Sequence, residues 1–312
     1  MTRILVAGAT GAVGQRLLPM LIDDGHEVVA LTRTPAKAGA LRAMGALPVV
    51  VDALDREAVH GAVLGAEPEV IVHQMTALTG STDLRRFDRT FAQTNRLRTE
   101  GTRHLLDAGR AAGTRRLIAQ SFTGWPFARE GGPVKAEDAP LDAAPPRAQR
   151  ATLAAIQALE AMVTGAPGLE GVVLRYGGLY GPGTSLSADG EVTQLVRKRR
   201  LPVVGDGEGR SSFTHVDDAA GGVLATLDGP QGVFAIVDDE PARAADWIPA
   251  LADAVGAPAP RHVPRWVGRL AAGEVGATMM TSTRGASNQR AHDMLGWRPR
   301  WPTWREGFRH AL

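Results

Sequence analysis

"GATGAVG", residues 8–14, follows the apolar run "RILVA" (3–7) and precedes an amphipathic stretch, 12–24. Gly8, Gly11 and Gly14 fall at three-residue spacing between a strand pattern and a helix pattern. Glycine removes the Cβ where a turn must be tight, so the backbone N–H groups of a helix N-terminus can approach a pyrophosphate. Glycines at this spacing also serve helix packing alone. It is the strand, turn and helix context that predicts a dinucleotide site built on Gly8, Thr10, Gly11, Ala12, Val13 and Gly14.

Outward from this turn, residues 1–120 alternate short apolar runs with amphipathic segments, the pattern of βαβ units and a parallel sheet. Strands are expected at 3–8, 27–32, 47–53, 69–74 and 115–121, with helices at 12–24, 35–44 and 55–64 and a long one at 84–112. The Gly/Pro-rich stretch 122–147 reads as a long loop, and loops of that length in enzymes are usually functional. A helix around 150–162, a strand at 170–176 and a second glycine turn, "GGLYGPG" (177–183), follow. The expected architecture is α/β: a Rossmann-type doubly wound parallel sheet with a smaller, interleaved C-terminal substrate domain. The dinucleotide domain is assigned to 1–178 and 209–240, and the substrate domain to 179–208 and 241–312.

The end of the second strand bears on the choice of cofactor. An acidic residue there bonds the ribose 2′-OH of NAD, but "LTRTPAK" (31–37) offers Arg33 and Lys37 and no carboxylate. Two cations suit a 2′-phosphate, so NADP is expected, with NAD as the alternative if both are merely exposed loop residues. Asp52 after the third strand is placed either to accept from an adenine amino group, beside Ala53, or to cap the next helix. Gln74, Met75 and Thr76 after the fourth strand, and Tyr176 and Gly178 later, complete the expected cofactor side. His73, ending the fourth strand, reads as a structural hydrogen-bonding residue.

Composition narrows the classes. The chain has 312 residues, 44% hydrophobic, enough for a proper core, and its formal net charge of +2 implies no nucleic-acid partner. "RKRR" (197–200) reads as surface. There is no cysteine, which removes thiolate chemistry and Cys-based zinc sites. No apolar run approaches the ~18 residues of a membrane span, and no leader pattern is evident, so a soluble cytoplasmic protein is expected. No Ser-His-Asp spacing, GxSxG elbow or metal-ligand cluster offers competing chemistry.

Together with "VVVDALD" (49–55), "EGTRHLL" (100–106), "LRYGGLYGPG" (174–183), "FTHVDDAA" (213–220) and "LGWRP" (295–299), the glycine turn resembles the extended short-chain dehydrogenase/reductase family of epimerases and dehydratases, over essentially the whole chain. The resemblance implies a Ser or Thr after the fifth strand, and a Tyr and Lys four residues apart on the following helix, working on a carbonyl or alcohol. There the Lys lowers the Tyr pKa and holds the nicotinamide ribose. Counting back from Glu160 puts Thr152 at the Tyr position and Ile156 at the Lys position, so the dyad is absent. The only tyrosines, Tyr176 and Tyr180, have no Lys four residues on.

Ser121 matches the family's Ser and is expected to orient a substrate oxygen, with Thr123 on the same face. Lys135, Glu137 and Asp138 lie in the long loop, which could fold over the cofactor. Trp125 and Phe127, flanking Pro126, stand where the family has a Tyr-Gly turn and suit either a flat or apolar substrate or ordinary hydrophobic packing; Tyr180 is a further substrate-side candidate. Asp217 is expected to cap the helix after "HVDD". Ser211 replaces an Arg of nucleotide-sugar members, with Arg210 one residue off and so on the other side of a strand. Arg98 replaces the family's Asn, with Asn95 one turn earlier. The leading expectation is an NADP(H)-binding oxidoreductase or epimerase-like enzyme with an unconventional proton donor. A redox-neutral enzyme and a non-catalytic dinucleotide sensor are the alternatives. A homodimer is expected through the 84–112 and 150–162 helices.

Overall fold

The computed structural model describes residues 1–78 and 83–312. Its centre is a seven-stranded sheet of β1 (Arg3–Ala7), β2 (Glu27–Thr32), β3 (Leu47–Val50), β4 (Val70–His73), β5 (Arg116–Phe122), β6 (Glu170–Tyr176) and β7 (Gly232–Ile236). All pairings are parallel and the order is β7-β6-β5-β4-β1-β2-β3, so the chain reverses its direction of growth between β1 and β4. This is the doubly wound arrangement expected from the sequence.

The strands are apolar on both sides because both faces are covered. Ile4 and Val6 point into one core, with Leu17, Leu18 and Leu21 of α1 (Ala12–Asp23) and Ala219, Ala220 and Val223 of the helix Val216–Ala225. Leu5 and Ala7 point into the other, with residues of α2 (Arg56–Ala66), α3 (Thr102–Ala111) and α4 (Arg150–Thr164). A third core joins Tyr180, Phe213, Trp247, Ile248, Trp304 and Phe308 near the end of the chain.

Two expectations are corrected. The single helix over 84–112 is instead a broken series, comprising a 3₁₀ turn Leu84–Arg86, short helices Phe87–Thr90 and Ala92–Arg96, a π turn Leu97–Gly101, and α3. Hydroxyls compete with the ladder there: Thr99 Oγ1 donates to the Asn95 carbonyl at 2.9 Å. The stretch 122–147 is also not purely loop. Val134–Lys135 forms a short strand beside Gly285–Ala286, and Phe127 bridges Leu141.

Candidate functional site

In a sheet of this kind the crevice for a ligand lies beyond the strand ends where the order reverses, here after β1 and β4. Gly8 has φ +96, and a Cβ there would stand 2.5 Å from the Gln74 carbonyl oxygen, so the two strand ends meet in backbone contact. A Cβ on Gly14 would fall 2.4 Å from the Gly8 carbonyl oxygen. Gly11 differs: it is exposed, starts α1 without any side-chain cap, and its Cβ would meet only the Gly8 oxygen, at 3.3 Å. The helix start therefore keeps uncapped N–H groups beside an open face, which fits a pyrophosphate. Val13 is core, while Thr10 and Ala12 are half-buried at the rim.

Arg33 and Lys37 are both exposed after β2, on a turn that Thr34 N closes by donating to Thr32 Oγ1 at 3.2 Å. Asp52 is exposed and accepts from Leu54 N at 3.0 Å; the cap of α2 is Asp55, which accepts from Ala58 N at 3.0 Å. Ala53 is buried and its carbonyl lies 3.1 Å from His104 Nδ1. His73 Nδ1 accepts from Met75 N at 3.1 Å, so Nε2 carries the proton and faces Thr102 Oγ1 at 3.1 Å. Burial lowers its pKa to about 4. His73 is thus a neutral brace for the Gln74–Met75–Thr76 segment, of which Thr76 is exposed.

Gln74 Nε2 donates to the Tyr176 hydroxyl at 3.3 Å, and its buried Oε1 has no partner among the described residues. Tyr176 is a correction. It is fully buried and its hydroxyl donates to the Ala219 carbonyl at 3.2 Å, so its side chain belongs to the core. The close approach in this turn is made by Gly177, whose Cβ would lie 2.3 Å from Ser212 O; Gly178 pairs with Phe213 in a short strand. His215, not Asp217, caps the helix Val216–Ala225, accepting from Asp217 N at 3.2 Å.

On α4, Thr152 and Ile156 are both buried. Thr152 Oγ1 donates to Asp88 Oδ1 at 2.7 Å, and Asp88 also accepts from the Thr152 and Ala151 backbone N–H groups at 2.8 and 3.0 Å. Asn95 Nδ2 donates to Thr152 Oγ1 at 3.0 Å, and Arg98 Nη1 donates to Asn95 Oδ1 at 3.3 Å. The result is one directed chain, Arg98 to Asn95 to Thr152 to Asp88, with a cation at its head and an anion at its foot. Sequence reasoning noticed Asn95 and Arg98 as departures but missed Asp88. No local motif marks it, because its partners lie on another helix.

Ser121 is turned inward. Its hydroxyl donates to Glu160 Oε1 at 2.7 Å, and Glu160 is held by Arg175 through Nε at 2.8 Å and Nη2 at 2.6 Å. Arg175 Nη1 donates to the Glu137 carbonyl at 2.9 Å, and Glu137 Oε1 accepts from Ala235 N at 2.9 Å. Glu137 is therefore fastened to the sheet edge rather than free to fold over a ligand. Asp138 is exposed, and Lys135 Nζ donates to the Glu130 carbonyl at 2.6 Å within its own loop. Of the three catalytic candidates, only Thr123 keeps an unspent group: its Oγ1 is buried with no partner among the described residues.

Trp125 is half-buried and meets Phe87 edge to face at 5.5 Å and Phe122 at 6.3 Å, while Phe87 stacks on Phe91 at 4.3 Å. This aromatic cluster adjoins Asp88, hence the start of α4. Phe127 and Tyr180 do not join it. Phe127 is core, beside Val237 and Ala286, and Tyr180 is fully buried against Phe213 and Phe308. Arg210 is half-buried and donates to the Pro241 carbonyl at 3.3 Å. Among the described residues there is no group of three metal-ligating side chains and no helix long and apolar enough to cross a membrane.

A family model described as the NAD dependent epimerase/dehydratase family matches residues 4–236. The chain is 47% identical over 310 residues to a Streptomyces protein named 3-diazoavenalumate denitrifying reductase, covering 98% of this chain and 99% of that one. Among solved structures, the UDP-glucose 4-epimerase of Thermotoga maritima superposes with TM-score 0.77 at 22% identity, covering 98% of this chain and 96% of that one. The Thermus thermophilus UDP-glucose 4-epimerase in complex with NAD gives 0.70 at 26% identity, with 98% and 96% covered. The chain is an enzyme and belongs to the NAD dependent epimerase/dehydratase family.

Proposed function

We propose that the protein is an NADP(H)-dependent reductase that removes a diazo group from a flat, aromatic small molecule, replacing carbon–nitrogen by carbon–hydrogen and releasing dinitrogen. The observation that carries this reading is the commitment of the Thr152 hydroxyl proton to Asp88. Ser121 commits its own proton to Glu160 in the same way. The two hydroxyls at the family's proton-handling positions are hydrogen-bond donors to carboxylates, so neither is free to protonate a ligand. A carbonyl reductase in this position would lack its acid, at a cost of ~10²- to 10⁴-fold.

Hydride is the chemistry that a reduced nicotinamide supplies when bound. At a diazo carbon the C–N bond breaks, a C–H bond forms and dinitrogen leaves with the electron pair of the broken bond. The balance is an arenediazonium plus hydride giving the arene plus dinitrogen, and no proton enters it. The name of the Streptomyces relative, a denitrifying reductase of a diazo carboxylate, supports this substrate class.

In this reading the uncapped start of α1 and Gly11 hold the pyrophosphate, and Arg33 and Lys37 meet the 2′-phosphate of NADP. Met75 and Thr76 line the nicotinamide side, Thr123 offers its hydroxyl to a substrate oxygen, and Trp125 with Phe122 and Phe91 takes the aromatic ring. Ser121 serves the fold, donating to Glu160. A second copy of the chain pairs through the broken helix series and α4, to be checked by light scattering.

The test uses diazotised 3-amino-4-hydroxybenzoate, whose ortho oxygen delocalises the diazonium charge and slows coupling to protein side chains. With NADPH, enzyme-dependent loss of 340 nm absorbance, labelled dinitrogen from a labelled diazo group, and transfer of deuterium from 4-deuterated NADPH to the ring are expected. No enzyme-dependent turnover of the diazo compound, with reduction of simple aldehydes or ketones instead, would overturn the proposal.

A further inference from the structure

Among the described residues Arg98 is a buried cation without a counter-ion. It is 6% exposed, and its one side-chain hydrogen bond among the described residues is the 3.3 Å contact from Nη1 to Asn95 Oδ1. No carboxylate among the described residues lies within ion-pair distance of it, and residues 79–82, "TGST", contain no acid. Glu160 acts on it only through space, its two oxygens being occupied by Ser121 and Arg175. Burial lowers the Arg98 pKa to about 10, so the guanidinium still carries its charge at neutral pH.

An unpaired buried charge costs several kcal/mol, and proteins keep one where something else completes it. The position of Arg98 says where that partner comes from. Through Asn95 it touches Thr152, it feels the charge of Glu160 on α4, and its own charge helps keep His73 neutral at the end of β4. Arg98 therefore lies near both the start of α4, to which Asn95 ties it, and the β4 end that borders the crevice. Thr123, just beyond β5 and in register with Ser121, adds a second donor with no partner among the described residues. Arg98 also sits in the π turn Leu97–Gly101, a rare geometry that is frequent at functional sites.

We propose that Arg98 reads the anionic end of the substrate, forming the ion pair the protein itself leaves open, and that it selects carboxylate-bearing substrates. This rests on the reductase reading for the identity of the crevice, and it specifies the group opposite the reacting carbon. A planar fork of donors suits a carboxylate, which takes two parallel N–H bonds. A nicotinamide ribose, being uncharged, would leave the guanidinium without its counter-charge.

The experiment measures calorimetric binding of 4-hydroxycinnamate and of its methyl ester to the NADP⁺-loaded protein, so that no diazo chemistry is involved. The wild type is expected to prefer the acid by about tenfold or more. Arg98→Met should lose that preference by weakening the acid tenfold while moving the ester less than threefold, and Arg98→Lys should keep part of it. NADPH affinity without substrate analogue should stay within threefold in both variants, which also shows that they fold. A wild type that does not prefer the acid, or binds neither ligand, overturns the assignment, as does an Arg98→Met that loses NADPH instead. Acid preference retained in a protein that fails to turn over diazo compounds sinks the reductase reading and leaves Arg98 in place.

Discussion

Thr152 and Asp88 are joined by a 2.7 Å hydrogen bond in which the threonine is the donor. Asp88 also accepts two backbone N–H groups at the start of α4, so it caps that helix from another segment of the chain. This face of α4 is a structural joint between two segments of the chain. Its hydroxyl and amide groups bond one another in a chain running from Arg98 to Asp88, and only the guanidinium at its head lacks a counter-charge among the described residues.

A joint and an acid respond differently to mutation. Thr152→Val is expected to lower unfolding free energy by about 2 kcal/mol, the value of a bond to a charged acceptor. Turnover of the diazo probe should change by less than about threefold, and Ser121→Ala should behave alike. A drop in kcat of ~10²-fold or more in either variant, with the fold intact by circular dichroism, would mean that its hydroxyl handles a proton after all.

The glycines of the first turn separate in the same manner. Gly8 is needed by the protein, since its φ is +96 and a Cβ would stand 2.5 Å from Gln74 O. Gly8→Ala is expected to cost about 2 kcal/mol or more of stability. Gly11 has a permitted φ of −81, and a Cβ there would meet only the Gly8 carbonyl oxygen, at 3.3 Å. Gly11→Ala should melt within a degree or two of the wild type yet bind NADPH about tenfold or more weakly, measured by fluorescence titration. Normal cofactor binding in Gly11→Ala would remove this turn from the proposed site.

The sheet was legible because its signals are local. β2 and β6 run over Glu27–Thr32 and Glu170–Tyr176, as the apolar runs predict, and the glycine turn lies at the point where the strand order reverses. The 84–112 region was misread because helical periodicity says nothing of a π turn, which Thr99 and Thr102 favour by bonding back to the Asn95 and Leu97 carbonyls. Side-chain destinations were the least legible. Ser121 sits where its motif says, but Glu160 turns it inward, and Asp88 reaches Thr152 across 64 residues of sequence. Tyr180 and Phe127 looked like substrate contacts because aromatic residues suit cores and pockets equally.

In the proposed reading, cofactor choice rests on Arg33 and Lys37, both exposed, with no acid nearby on the strand end. Arg33→Ala is expected to weaken NADPH by about tenfold and to leave NADH within about threefold, since only the former has a 2′-phosphate to lose. Equal losses for both dinucleotides, or none, would remove the basis for the NADP assignment.

His73 makes stability depend on pH. Its folded pKa is lowered from 6.5 to about 4, chiefly by burial, with the Arg98 charge adding to the effect and the Leu97 carbonyl opposing it. A lowered histidine means that the unfolded chain binds the extra proton between about pH 6.5 and 4. Stability from this group is therefore complete above pH 6.5 and declines as the pH falls through that window, by about 2 kcal/mol between pH 7 and pH 5. Asp218 works in the opposite direction: burial raises its pKa to about 6, so its burden grows as the pH rises. The two overlap, and the comparison that isolates His73 is urea denaturation of the wild type and His73→Asn at both pH values. The variant should be less stable at pH 7 because it disturbs the contacts to Met75 and Thr102. Its loss between pH 7 and pH 5 should nevertheless be about 2 kcal/mol smaller than that of the wild type. An identical pH dependence in the two proteins would show that His73 is not held neutral in the fold.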